Sequence, residues 1–181
     1  MKLIIINGLP ATGKTTLAEP LSRELQIPLI SKDSIKEFLF DKLGSKDRRW
    51  SKTLGRLSYE FIYAITDTML DEGQSIMIEN AFEVAFAKPR LEHIISKHSP
   101  DVLEVYCYTS PAVRKQRFVV RNESGNRHAG HSDHENYQEN TGPEPLDKYA
   151  PLELGHMLRI DTTNILDIKE IKRSIDTINL K

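Results

Sequence analysis

Residues Gly8-Leu9-Pro10-Ala11-Thr12-Gly13-Lys14-Thr15 have the spacing G-x-x-x-x-G-K-[ST] of a loop that cradles polyphosphate. The apolar run Leu3 to Ile6 before them reads as a buried strand, and Thr16-Leu17-Ala18-Glu19 after them opens a helical pattern. A strand that turns sharply into a helix aims several backbone N–H groups and the positive helix end at one point, which suits a phosphate chain. Gly8 and Gly13 permit the turn and the close approach of backbone, with Leu9, Pro10, Ala11, Thr12 and Thr16 completing the cradle. Lys14 supplies charge for the outer phosphates, and the Thr15 hydroxyl is a natural Mg²⁺ ligand. A nucleoside triphosphate is the expected ligand.

Two carboxylates fall where such a loop would need partners. Asp33 follows a second short strand and Glu79 ends a third, so a parallel sheet would bring both to the edge where ligands collect. Asp33 could take the proton of an acceptor hydroxyl as it attacks the γ-phosphate, or it could cap the helix that follows; the two roles are compatible. Lys36, three residues on, shares its helix face and is a candidate acceptor contact. Glu79 is a candidate for the Mg²⁺ shell or, with Asn80, for the acceptor; a plain strand end would look the same.

Arg114, Arg117 and Arg121 repeat at three and four residues and share one helix face. Guanidinium groups so placed repel unless an anion or carboxylates neutralise them; a triphosphate in transfer is such an anion, and a solvated basic face is the alternative. Residues Ser124 to Pro145 then form a long polar stretch with almost no aliphatics, the composition of a lid. Within it, Arg127, His128 and His131 are candidates for phosphate or acceptor contact. A metal site that includes His134, and a purely solvated loop, remain alternatives.

The elements that would position these groups alternate strand and helix. Strands are expected at about 2–6, 28–31, 75–79, 102–108 and 158–161. Helices are expected from the loop to Gln26, over 33–43, 51–71 and 88–97, from Pro111 to Asn122, and at the C-terminal end with Ile168, Ile171, Ile175 and Ile178 inward. In the long helix Leu54, Leu57, Phe61, Ile65 and Met69 form the expected inner stripe, and Pro20 is expected to kink the first helix. A length of 181 residues suits one domain, with a lid at about 112–145. The net charge of −1 argues against an overall grip on nucleic acid, though not against a local basic groove. No run approaches a membrane span, the first strand is too short for a signal peptide, and Cys107, the single cysteine, can form no intrachain disulfide. A reducing cytoplasm is the default expectation.

The P-loop octapeptide, Lys32-Asp33-Ser34-Ile35-Lys36, Arg117-x-x-x-Arg121 and Asp161-Thr162-Thr163 occur in order along nearly the whole chain. Together they resemble the small P-loop kinases that include phage polynucleotide kinase, chloramphenicol phosphotransferase and gluconate kinase. The resemblance implies an α/β, three-layer P-loop NTPase fold with a five-stranded parallel sheet of order 2-3-1-4-5, and ATP–Mg²⁺ as donor. It implies a general base at Asp33, phosphate contacts from Arg117 and Arg121, and Asp161 and Thr162 near the adenine. The Trp50-to-Gly55 stretch and Arg127-His128-Ala129-Gly130-His131 resemble an uncharacterised branch of such kinases. Polynucleotide kinase has arginine where this chain has Lys36, which turns the expectation from a nucleic-acid 5′-hydroxyl toward the hydroxyl of a small molecule. A nucleotide-dependent switch with slow ATP hydrolysis is the alternative outside kinases; a positioned base argues against it.

Overall fold

The computed structural model describes residues 1–123, 128 and 148–178. Its elements are β1 (Lys2–Asn7), α1 (Lys14–Leu25), β2 (Leu29–Ser31), α2 (Lys32–Leu43), α3 (Arg48–Asp71), β3 (Ile76–Glu79), α4 (Val84–His98), β4 (Asp101–Tyr108), α5 (Pro111–Glu123), β5 (His156–Asp161) and α6 (Ile168–Thr177). The five strands form one parallel sheet of order β2-β3-β1-β4-β5, with Ile5 opposite Ile78 on one side and Glu104 on the other. The expected order is therefore the observed one.

β1 is central and buried on both faces, which explains its unbroken apolar run. Leu3 and Ile5 join Ile62, Ile78 and Leu91 in the core under α3 and α4. Ile4 and Ile6 join Leu17, Leu21, Val105, Cys107 and Ile171 in the core under α1 and α6. Successive side chains of a strand point to opposite faces, so one short segment nails two helical layers to the sheet. Among the described residues no helix is long and apolar enough to cross a membrane.

Three sequence expectations need correction. The inner face of α3 is Leu54, Ser58, Ile62, Thr66 and Leu70; of the expected stripe Leu54 is buried and Ile65 and Met69 pack half-buried against the core, while Leu57 and Phe61 are 42% and 48% exposed. The true stripe is disguised by two hydroxyls. Ser58 Oγ donates to Leu54 O and Thr66 Oγ1 to Ile62 O, each at 2.7 Å, so both sit buried without a polar penalty. Next, α3 starts at Arg48 and not at Ser51, because Asp47 caps it by accepting from Trp50 N at 2.7 Å. The fourth helix likewise begins earlier than expected, at Val84, and holds Pro89 inside it. α1 runs from Lys14 to Leu25 with Pro20 inside it.

Candidate functional site

The carboxyl ends of β1, β2 and β3 open into a cleft of about 1390 Å³. On one side lie Pro10, Ala11, Gly13, Lys14, Thr15 and Thr16 of the loop. The loop's shape follows from its glycines. Gly8 has φ +139° and lies so close to β4 that a Cβ would meet Cys107 O at 2.2 Å; Gly13 has φ +82°. Leu9 O accepts from Thr12 Oγ1 and from Lys14 Nζ, both at 2.8 Å, which closes the loop on itself. Gly8, Leu9 and Thr12 thus build the loop from behind, and the residues after them face the cleft.

Lys14 is buried, and burial pulls its ammonium pKa down; Glu79, Cys107 and Asp33 oppose that shift, while Arg121 adds to it. Glu79 is buried as well, and burial raises its carboxyl against the pull of Lys14 and of hydrogen bonds from Ser31 and Thr15. Thr15 Oγ1 donates to Glu79 Oε2 at 3.3 Å. The hydroxyl and the carboxylate are hard oxygen donors on one cleft wall, the donor chemistry that Mg²⁺ takes alongside phosphate oxygens and waters. Among the described residues no three acidic, histidine or cysteine side chains cluster as a metal cage.

Asp33 lines the same cleft from the first turn of α2, where Lys32 Nζ approaches its Oδ1 at 3.3 Å. It is not the N-cap: Ser31 occupies that position. Lys36 also lines the cleft and donates to Ser51 Oγ of α3 at 2.9 Å. Asn80 sits beside Glu79, and its buried Nδ2 has no hydrogen-bond partner among the described residues.

Arg117 and Arg121 of α5 line the cleft, with Arg117 Nη1 against Gly13 of the loop; Arg114 is not among the lining residues. The Arg117 guanidinium donates to the backbone carbonyls of Thr162 and Thr163, and to Thr162 Oγ1 at 3.2 Å. Thr162 Oγ1 in turn lies 2.5 Å from Thr12 O. This chain of bonds ties α5, the β5–α6 turn and the phosphate loop together. Arg121 lies over the Phe118 ring at 5.3 Å. Asp161 does not line the cleft. Its Oδ1 accepts from Thr163 N at 2.8 Å and Thr163 Oγ1 at 2.5 Å, and these bonds hold its carboxyl below the usual range. It shapes the turn whose next residues, Thr162 to Leu166, face the cleft.

His128 lies outside the cleft lining, stacked on Phe40 with its Nε2 3.0 Å from Asp41 Oδ1. Arg127, His131, His134 and most of the expected lid lie outside the described residues.

The AAA domain family model matches residues 3–143. The chain belongs to this family of small P-loop kinases. A provisionally named kinase from Chloroflexus aurantiacus J-10-fl, known from a crystal structure, is 34% identical, with a TM-score of 0.84 and 96% of each chain covered. Cytidylate kinase of Pyrobaculum neutrophilum is 26% identical over 126 residues, which are 68% of this chain and 62% of that protein. The chain therefore spans somewhat less than two thirds of the length of that curated relative. The APS kinase of Mycobacterium tuberculosis, solved with AMPPNP and APS, shares the fold at 16% identity, with a TM-score of 0.61 over 97% of this chain and 95% of that one.

Two parts of this kinase-family cleft overlap stretches that resemble family features but have no ligand role in the sequence reading. One is the turn Thr163-Asn164-Ile165-Leu166, where Ile165 is fully exposed beside the phosphate loop's helix. The other is the basic start of α3, with Arg48, Lys52 and Arg56 on the lining. Neither has a local pattern that marks a ligand; only the fold brings them to the loop.

Proposed function

We propose that the chain is an ATP-dependent phosphotransferase that moves the γ-phosphate of ATP to a hydroxyl of a small-molecule acceptor, as one domain over residues 1–181. The observation that carries this reading is the convergence of a phosphate loop, two carboxylates and two arginines on a single cleft. The loop backbone and Lys14 hold the phosphates, and the turn after β5 offers Ile165 and Leu166 to the base. Thr15 and Glu79 fit a Mg²⁺ ion, which when bound neutralises phosphate charge. Asp33 orients the acceptor hydroxyl and takes its proton. As the acceptor oxygen bonds to the γ-phosphorus, the bond from that phosphorus to the bridging oxygen breaks and ADP leaves. Arg117 and Arg121 stabilise the charge on the transferring group. Lys36 and Asn80 contact the acceptor.

A screen of hydroxyl compounds for acceptor-stimulated ADP release tests the reading, with Asp33→Asn run beside the wild type. Stimulation by an alcohol that depends on Asp33 is the expected result. Turnover of ATP that no acceptor stimulates, and that Asp33→Asn leaves intact, would instead describe a slow hydrolase.

A further inference from the structure

The cleft is far more basic than the chain that forms it. Nine Lys and Arg side chains and three carboxylates line it, in a protein whose formal net charge is −1. Lys14, Arg117 and Arg121 face the phosphate loop and are enough for a triphosphate. Of the other six, Lys148 pairs with Glu83 and five lie on α2 and α3. Arg48, Lys52 and Arg56 repeat every four residues, so they form one row along α3, and Lys36 reaches the same wall through Ser51. Gly55, between them, carries no side chain; a Cβ there would come within 3.9 Å of Lys36 Cε.

Helix stability does not account for this row. Like charges four residues apart repel, and cations in a first turn oppose the helix dipole. The first turn of α3 holds no acid at all. The acids of this helix lie further along and serve other ends: Glu60 pairs with Arg90 of α4, and Asp67 with Lys97 and His98. The carboxylates in the cleft are also engaged elsewhere, Asp33 with Lys32, Glu83 with Lys148 and Glu79 with Thr15. Lys52 and Arg56 have no ion-pair partner among the described residues, although both face the cleft.

We propose that the acceptor carries a phosphate of its own, seated against Lys52 and Arg56 of α3 with Lys36 alongside. This deepens the kinase reading and rests on it. Asp33 and Lys36 lie one helical turn apart on the same face of α2, a separation of about 5 Å along the axis. A hydroxyl held at Asp33 therefore leaves room for a phosphate a few bonds away at Lys36, which points to a short phosphomonoester and not to a neutral polyol. Lys52 presents a point charge and Arg56 a planar fork, a pair suited to one phosphate group.

The test uses the full chain loaded with Mg²⁺ and a non-hydrolysable ATP analogue, titrated by calorimetry with glycerol phosphate, glycerate and glycerol. Lys52→Gln/Arg56→Gln is compared with the wild type; both positions are exposed, so the double variant keeps its fold. Glycerol phosphate should bind the wild type and at least tenfold more weakly the double variant, with glycerate weaker and glycerol absent. Equal binding to both proteins, or none to the wild type, overturns the phosphate site. Glycerate binding as strongly as glycerol phosphate overturns the assignment to phosphate. The analogue titration is read first: failure of the wild type to bind it would sink the kinase reading itself, a result separable from loss at α3.

Discussion

At the scale of single residues, the same burial that makes the site also sets its chemistry. Lys14 lies on the cleft wall yet is buried, so its charge is costly until phosphate oxygens compensate it. Lys14→Ala should therefore abolish ATP–Mg²⁺ binding in calorimetry and leave the circular dichroism spectrum native. Wild-type affinity would remove Lys14 from the site. Asp33→Asn should retain that affinity while phosphoryl transfer falls by roughly 10²–10⁴-fold, the usual cost of losing a general base. Since Ser31 holds the cap position, that rate loss should come with an unchanged melting temperature. A drop in melting temperature that tracked the rate would point to a structural role. Cys107, on β4 behind the loop, is the opposite kind of residue. Burial pushes its thiol from the ordinary 9.0 up to about 12. The sign follows directly: this group's contribution to stability is complete below pH 9.0 and is lost as pH climbs toward 12. A thiol reagent at about pH 8 should leave the native protein unlabelled and modify it only on unfolding.

At the scale of elements, what could be read from the chain depended on whether a rule of spacing was also the rule of packing. The strands obeyed both. Leu3 to Ile6 and Ile76 to Ile78 are buried on two faces, so plain apolar runs located them. The phosphate loop was legible because its motif and its flanking elements must occur together, and the close contact of Gly8 with Cys107 O is the physical reason. The expected stripe of α3 holds at Leu54, Ile65 and Met69 and fails in part because Leu57 and Phe61 are apolar but half exposed, whereas Ser58 and Thr66 are polar but wholly buried. Hydropathy cannot see a hydroxyl that its own helix satisfies. The two faces make opposite predictions. Ile62→Ala should cost about 2–5 kcal/mol in urea denaturation, as for a core isoleucine or leucine, and Phe61→Ala about 0.5 kcal/mol or less. Equal losses at the two positions would restore the stripe that spacing suggested. The basic row of α3 and the turn after β5 escaped for a different reason. Their role depends on which elements meet at the end of the sheet, and that is a property of topology and not of any segment.

At the scale of the whole molecule, a buried polar network couples the loop to parts of the chain about a hundred residues away. Asn7 ends β1, and its Oδ1 accepts from Gly8 N at 2.7 Å and from Phe82 N at 3.1 Å. Its Nδ2 donates to Glu104 Oε1 of β4 at 2.9 Å. Glu104 also accepts from Leu152 N and Glu153 N, each at 2.9 Å, and is fully buried. One carboxylate thus joins the start of the phosphate loop, the β3–α4 segment, the centre of the sheet and the segment that leads into β5. No cation pairs with Glu104 among the described residues; Asn7 Nδ2, Leu152 N and Glu153 N are its donors. Glu104→Ala would leave Leu152 N buried without an acceptor and Asn7 Nδ2 with only Ala150 O at 3.4 Å, at about 1–3 kcal/mol for each unsatisfied group. We expect a loss of about 3 kcal/mol or more in urea denaturation, together with weaker binding of a non-hydrolysable ATP analogue, because Asn7 would no longer be held to orient Gly8 N. Glu104→Gln is the control that keeps shape and much of the acceptor capacity but aims an NH₂ at a donor. It should lose less stability than Glu104→Ala and still lower nucleotide affinity relative to wild type. A wild-type urea midpoint and wild-type affinity in Glu104→Ala would mean that the loop is held by its own internal bonds alone. The network would then have no part in organising the site.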